Sequence, residues 1–232
     1  MTAHFYISYG WFIVLPKQYW GTGRITVNDT PSSPTHNFQR KIALIGARNV
    51  GKTTLTVRFV ESRFVESYYP TIENEFTRII PYKSHDCTLE ILDTAGQDEV
   101  SLLNIKSLTG VRGIILCYSI INRASFDLIP ILWDKLVDQL GKDNLPVILV
   151  GTKADLGRST KGVKRCVTKA EGEKLASTIG SQDKRNQAAF IECSAELDYN
   201  VEETFMLLLK QMERVEGTLG LDAENNNKCS IM

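Results

Sequence analysis

The sequence predicts an α/β fold: a six-stranded, mostly parallel sheet with one antiparallel edge strand and about five helices. Three observations carry that expectation. From Gln39 onward, apolar runs of strand length alternate with segments of helical period, the pattern that covers both faces of a parallel sheet with helices. Gly46-Ala47-Arg48-Asn49-Val50-Gly51-Lys52-Thr53 fits G-x-x-x-x-G-K-[ST] between a strand-like and a helix-like segment, the context a phosphate-binding P-loop needs. Short polar motifs follow the ends of later apolar runs, where ligands of such sheets sit.

The strands are expected at 40–46, 76–83, 87–92, 112–119, 146–151 and 188–193. Helices are expected at 52–62, 98–106, 124–140, 169–179 and 201–215. The second and third strands are joined by the short turn Lys83-Ser84-His85-Asp86, so they pair antiparallel at one edge. Pro130 interrupts the third helix and is expected to bend it. Val201, Phe205, Leu208, Leu209 and Met212 recur at helical spacing and read as a core-facing stripe.

A chain of 232 residues with 43% hydrophobic content holds one such domain plus tails. Residues 1–37 read as a disordered N-terminal extension, or as upstream sequence wrongly joined to the frame. Residues 38–216 form the domain, and 217–232 a polar, flexible tail. The formal net charge is zero, which gives no electrostatic bias toward nucleic acid or an acidic membrane. Five scattered cysteines without a C-x-x-C pair read as reduced thiols of a cytosolic protein. The three histidines share no metal-ligand spacing. No run approaches the ~18 apolar residues of a membrane span.

The P-loop comes first in the chemistry. Its successive N–H groups, through Asn49, Val50 and on to Thr54, are expected to face phosphate oxygens at the positive end of a helix. Lys52 is expected to reach the β- and γ-phosphates, and Thr53 to offer a hydroxyl to Mg²⁺. Asp93-Thr94-Ala95-Gly96-Gln97 follows a strand. There Asp93 is placed to hold Mg²⁺ through water, Gly96 to offer its N–H to a γ-phosphate and Gln97 to orient an attacking water. Thr152-Lys153-Ala154-Asp155 follows the next strand. The Asp155 carboxylate can accept from both N1–H and the 2-amino group of guanine, a donor pair that adenine lacks. Ser194 and Ala195 follow the last strand, with the Ala195 N–H placed for guanine O6.

Together these motifs resemble the Ras superfamily of small GTPases over about residues 38–216, and its Rheb branch in particular. The branch-specific signs are Arg48 within the P-loop, the segment from Tyr68 to Phe76, and Asp93 to Glu99. The resemblance implies a P-loop NTPase G domain that binds GTP, hydrolyses it to GDP and acts as a monomeric switch. It makes Lys52, Thr71, Gly96 and Gln97 the catalytic group, with Thr53 and Thr71 on Mg²⁺. It implies that Phe64 packs on the guanine ring, that Tyr68 and Pro70 close over the nucleotide, and that Tyr68, Tyr69, Pro70, Thr71, Ile72, Glu73, Asn74, Glu75 and Phe76 form the effector region. It also implies a tuberin-type activating protein, an effector kinase of TOR type and a link to amino-acid uptake.

Three positions depart from the common pattern: Thr152 for Asn, Val100 for Tyr and Glu196 for Lys. The chain also looks longer than Ras around 157–167 and 179–187. Arg48 stands where most relatives have Gly, and its bulk is expected to displace Gln97 and slow turnover. A slow or pseudo-GTPase serving as a nucleotide-locked interaction module is therefore the rival reading. A P-loop kinase is a second, opposed by the Asp93 and Asp155 motifs. The chain ends Cys229-Ser230-Ile231-Met232, a C-a-a-X box whose terminal Met favours farnesylation of Cys229 and C-a-a-X processing. With no second lipid site or polybasic run, attachment to the cytoplasmic side of membranes is expected to exchange with the cytosol.

Overall fold

The computed structural model describes residues 38–66, 70–83, 85–101, 103–140, 145–158, 163–179 and 188–228. The expected extension at 1–37, the tyrosines Tyr68 and Tyr69, residues 159–162 and 180–187 of the two expected insertions, and the C-a-a-X box lie outside the described residues.

β1 (Phe38–Gly46), β2 (Glu73–Tyr82), β3 (His85–Thr94), β4 (Gly113–Ser119), β5 (Val147–Thr152) and β6 (Ala189–Glu192) form one sheet in the order β2-β3-β1-β4-β5-β6. Only the β2–β3 pair is antiparallel, and it holds one edge. The sequence expected this arrangement. β2 begins earlier than the apolar pattern does, because Glu73 pairs with Thr94 and Asn74 with Asp93 at the far end of the hairpin.

Central β1 explains why both faces need cover. Ile42, Ala43, Leu44 and Ile45 are all fully buried, so period-2 alternation sends apolar side chains to both faces. Ala43 and Ile45 join a core with Ile129 and Leu132 of α2 (Arg123–Leu140) and Ala176 of α3 (Lys169–Thr178). Ile42 and Leu44 join a second core with Leu55 and Phe59 of α1 (Lys52–Glu61) and Phe205 and Leu208 of α4 (Val201–Lys228). Phe59 and Phe205 stack with ring centroids 3.8 Å apart, a pair that adds about 0.5–1.5 kcal/mol beyond its buried area.

Four α-helices and a short 3₁₀ turn at Leu156–Arg158 are present among the described residues, where about five helices were expected. The helix expected at 98–106 does not form there. Asp98 Oδ1 instead accepts from the backbone N–H groups of Val100 (3.1 Å) and Ser101 (2.7 Å) and from the Ser101 hydroxyl (2.6 Å). Lys135 of α2 takes the Glu99 and Ser101 carbonyls. Side chains thus occupy main-chain groups that a helix would have paired with each other. α2 runs unbroken through Pro130. α4 continues past the pattern's end at 215 to Lys228. No proline interrupts that stretch, and leucine, alanine and glutamate dilute its two glycines. No helix among the described residues is long and apolar enough to cross a membrane.

Candidate functional site

A cleft of about 980 Å³ opens where β1, β3, β5 and β6 end. Its wall contains Arg48, Asn49, Val50, Gly51, Lys52, Thr53 and Thr54 of the predicted loop, then Phe64, Pro70, Thr71, Gly96, Thr152, Lys153, Asp155 and Ala195. Motifs that run from Arg48 to Ala195 in the sequence therefore share one space. Gly46, Ala47, Asp93, Gln97 and Ser194 stand behind this wall and hold it.

The phosphate side is built on the start of α1. Gly51 is its N-cap with φ +99°, a left-handed backbone that L side chains rarely adopt. Lys52 follows, and its Nζ donates to the Gly46 carbonyl (2.9 Å) and the Ala47 carbonyl (3.0 Å). The ammonium thus sits at the centre of the loop it belongs to. Burial pushes the Lys52 pKa below the usual lysine range, against the pull of nearby Asp93. Burial also raises the Asp93 carboxyl, while a hydrogen bond from Thr53 and the charge of Lys52 draw it back down.

Thr53 Oγ1 donates to Asp93 Oδ2 at 2.6 Å and lies 2.9 Å from Thr71 Oγ1. The other carboxylate oxygen, Asp93 Oδ1, is buried with no hydrogen-bond partner among the described residues. Two hydroxyls beside a carboxylate with a spare buried oxygen form a hard-oxygen set that suits Mg²⁺ and its retained waters.

Arg48 and Gln97 frame the third wall. A Cβ on Gly96 would meet Arg48 Cγ at 2.3 Å and Arg48 Cα at 2.5 Å, so the Arg48 stem covers Gly96. The Arg48 guanidinium reaches Asp98 at 3.6 Å, with its side chain 72% exposed, so the pair contributes little. The Gln97 N–H donates to the Gly46 carbonyl (3.0 Å), and its side-chain amide folds back onto the Ala95 carbonyl (2.9 Å). Its Oε1 is buried without a hydrogen-bond partner among the described residues. In this conformation Gln97 is not part of the cleft wall.

The opposite end is set by β5 and β6. Thr152 is buried, with its hydroxyl 2.5 Å from the Val50 carbonyl and 2.9 Å from the Tyr118 carbonyl. A threonine here therefore still ties the P-loop to the sheet. Lys153 adopts φ +60° and lays its stem past Gly51, donating from Nζ to the Asn49 carbonyl (2.8 Å). Burial lowers its pKa, and Asp155 opposes that. Ser194 donates to Asp155 Oδ1 at 2.6 Å and accepts from the Leu197 N–H at 3.1 Å. Ser194 thus orients the carboxylate from behind.

The expected effector segment divides. Pro70, Thr71, Asn74, Glu75 and Phe76 line the cleft, Ile72 is 89% exposed, and Glu73 to Phe76 belong to β2. Glu75 pairs with Lys41 at 3.1 Å, and Phe76 packs against the α1/α4 core. Glu61, Arg63, Ala95, Cys193 and Glu196 also line the cleft, although sequence reasoning did not mark them as site residues. Ala95 and Cys193 adjoin motif residues; Glu61 and Arg63 come in from the end of α1.

Residues 41–214 match the profile of the Ras family. The chain is 99% identical over 201 residues to GTP-binding protein RHB1 of Saccharomyces cerevisiae, covering 87% of this chain and 96% of that protein. It is 46% identical over 202 residues to small monomeric GTPase RhbA of Aspergillus fumigatus, covering 87% of this chain and 100% of that protein. Against GTP-binding protein Rheb of Homo sapiens it is 37% identical over 193 residues, covering 83% and 97%. On fold, cleft and these likenesses together, the chain belongs to the Ras family of small GTPases, in its Rheb branch.

Proposed function

We propose that the chain is a GTP-binding switch that hydrolyses GTP to GDP in the cleft described above. The observation that carries this reading is the meeting of Lys52, Gly96 and Asp155 around one cavity. Lys52 and the loop N–H groups bind the phosphates and stabilise charge that develops on them. Gly96, which has no Cβ to fend off the γ-phosphate, offers its N–H to it. Asp155 accepts from the guanine edge, the Ala195 N–H meets O6, and Phe64 covers the ring. Thr53 and Thr71 would hold Mg²⁺ directly and Asp93 through water, as their spare oxygens fit. When bound, that ion neutralises charge on the β- and γ-phosphate oxygens.

Gln97 has to leave the Ala95 carbonyl to orient the attacking water. That is one reason for slow basal turnover and for dependence on an activating protein. Thr71 and Gly96 sense the γ-phosphate, and its loss frees 66–76 and 97–106 for a change of partner. Likeness to the Rheb branch supports a tuberin-type activating protein and a TOR-type effector kinase. Farnesylated Cys229 carries the chain to the cytoplasmic side of membranes, in exchange with the cytosol.

The test is single-turnover GTP hydrolysis by the full chain, with and without a tuberin-type activating domain, beside Gln97→Leu. The wild type hydrolyses slowly, on the order of 10⁻⁴ s⁻¹ or below, accelerates with the domain, and Gln97→Leu slows further. Tight GTP binding with no acceleration would instead favour a nucleotide-locked interaction module.

A further inference from the structure

Arg58 lies in the last turn of α1, half-buried and outside the cleft wall. Its hydrogen bonds go to three main-chain carbonyls. Nε donates to the Ala195 carbonyl at 2.6 Å, one terminal nitrogen to the Glu196 carbonyl at 2.9 Å, and the other to the Ser62 carbonyl at 3.2 Å. A guanidinium is a rigid planar fork, so three acceptors held together fix their relative positions as well as attracting them.

Those carbonyls belong to the two segments that form the base side of the cleft. Ala195 and Glu196 line it after β6, in a loop closed on itself by reciprocal Ser194–Tyr199 backbone bonds of 2.9 Å. Ser62 adopts φ +55° and turns the chain from α1 toward Phe64. The Ala195 loop is thus gripped from two directions. Ser194 ties it to Asp155, and Arg58 ties it to α1. Lys52 is six residues earlier on the same helix, about 9 Å along its axis.

We propose that Arg58 is the positioning residue for base recognition, holding the Ala195 N–H and the approach to Phe64 in register with the phosphate loop. This rests on the guanine-nucleotide reading above. Arg58 does not touch the nucleotide. By holding the Ala195 and Glu196 carbonyls it fixes the backbone just after Ala195 against α1, so the segment that carries the Ala195 N–H cannot swing away from the cleft. Without Arg58, the loop keeps its ties through Cys193 and Ser194 but loses its anchor to α1. Adenine, which presents a donor at the O6 position, is then rejected less sharply, because rejection relies on a fixed donor facing another donor.

The experiment compares full-length wild type, Arg58→Met and Arg58→Lys. Methionine keeps an apolar stem without donors, whereas lysine keeps the charge and a reduced donor set. Each is loaded with fluorescent mant-GDP and chased with unlabelled GDP for the release rate, then competed with ADP for base preference. Melting of the nucleotide-free protein is followed alongside. Arg58→Met releases GDP about tenfold faster and loses a similar factor of GDP-over-ADP preference, and Arg58→Lys falls between. Unchanged release overturns the proposal. Faster release, or a lower melting point, with base preference intact also overturns it, since Arg58 is then only a strut of α1. Should Arg58→Met not fold, the Arg58→Lys comparison decides on the same two readings. A wild type that does not prefer mant-GDP to ADP removes the guanine reading itself and is seen before any variant is compared.

Discussion

Arg48 and Gly96 occupy each other's space, and Gln97 lies immediately beyond them. The Arg48 stem fills the volume over Gly96, where the proposed γ-phosphate contact would form, while Gln97 is turned onto the Ala95 carbonyl. Replacing Arg48 with glycine opens that volume and lets Gln97 leave its own backbone. Arg48→Gly should therefore hydrolyse bound GTP about tenfold faster in single turnover, equal to about 1.4 kcal/mol of barrier. An unchanged rate would show that Arg48 merely points outward. This relationship was partly legible in sequence, because a P-loop fixes its own geometry over eight consecutive residues. The fold-back of Gln97 was not, since it depends on which carbonyl a side chain meets after folding. Arg58 carried no signal at all: its three acceptors lie 4, 137 and 138 residues away.

Among the elements, α3 has the clearest local logic. Thr168 and Glu171 form a reciprocal capping box, with Thr168 N–H to Glu171 Oε2 at 2.8 Å and Glu171 N–H to Thr168 Oγ1 at 3.2 Å. Arg123 at the start of α2 also donates to Glu171. The Thr168 backbone bond first, and Arg123 next, pull the Glu171 carboxyl down to about 2. Its ionised form is thus favoured in the folded protein, against about 4.3 when unfolded. The stabilisation is present above the unfolded value and is lost as pH falls through the folded one. Urea midpoints of wild type and Glu171→Gln should therefore differ at pH 7 and converge as pH falls from about 5 toward 2. A gap that stays constant with pH would contradict this. Strands and capped helices such as these were legible because burial and capping follow local period. The segment 98–106 has helical period too, but Asp98 and Lys135 captured its main-chain groups, and Lys135 lies on another element. The early start of β2 was hidden for a related reason: Glu73 and Asn74 are polar and enter the sheet by pairing with β3.

At the scale of the whole molecule, the proposed membrane attachment would rest on a single lipid signal. Sequence charge is balanced and the tail has no second acylation site or basic run, so attachment is marginal and reversible. In a cell fractionation, Cys229→Ser should move the membrane-bound share into the soluble fraction while leaving GTP binding by the purified protein unchanged. Retention on membranes by the serine variant would require an anchor elsewhere in the chain.

Arg40, Arg112, Tyr82 and Lys83 clasp Glu213 and Glu216 of α4 at the end of the sheet where β1 and β4 begin. The cleft lies at the other end of those same strands. α4 therefore leaves the domain from the pole opposite the cleft. If Cys229 carries the proposed farnesyl group, the moored pole is the one opposite the cleft, and visitors would reach the cleft without having to pass the lipid headgroups.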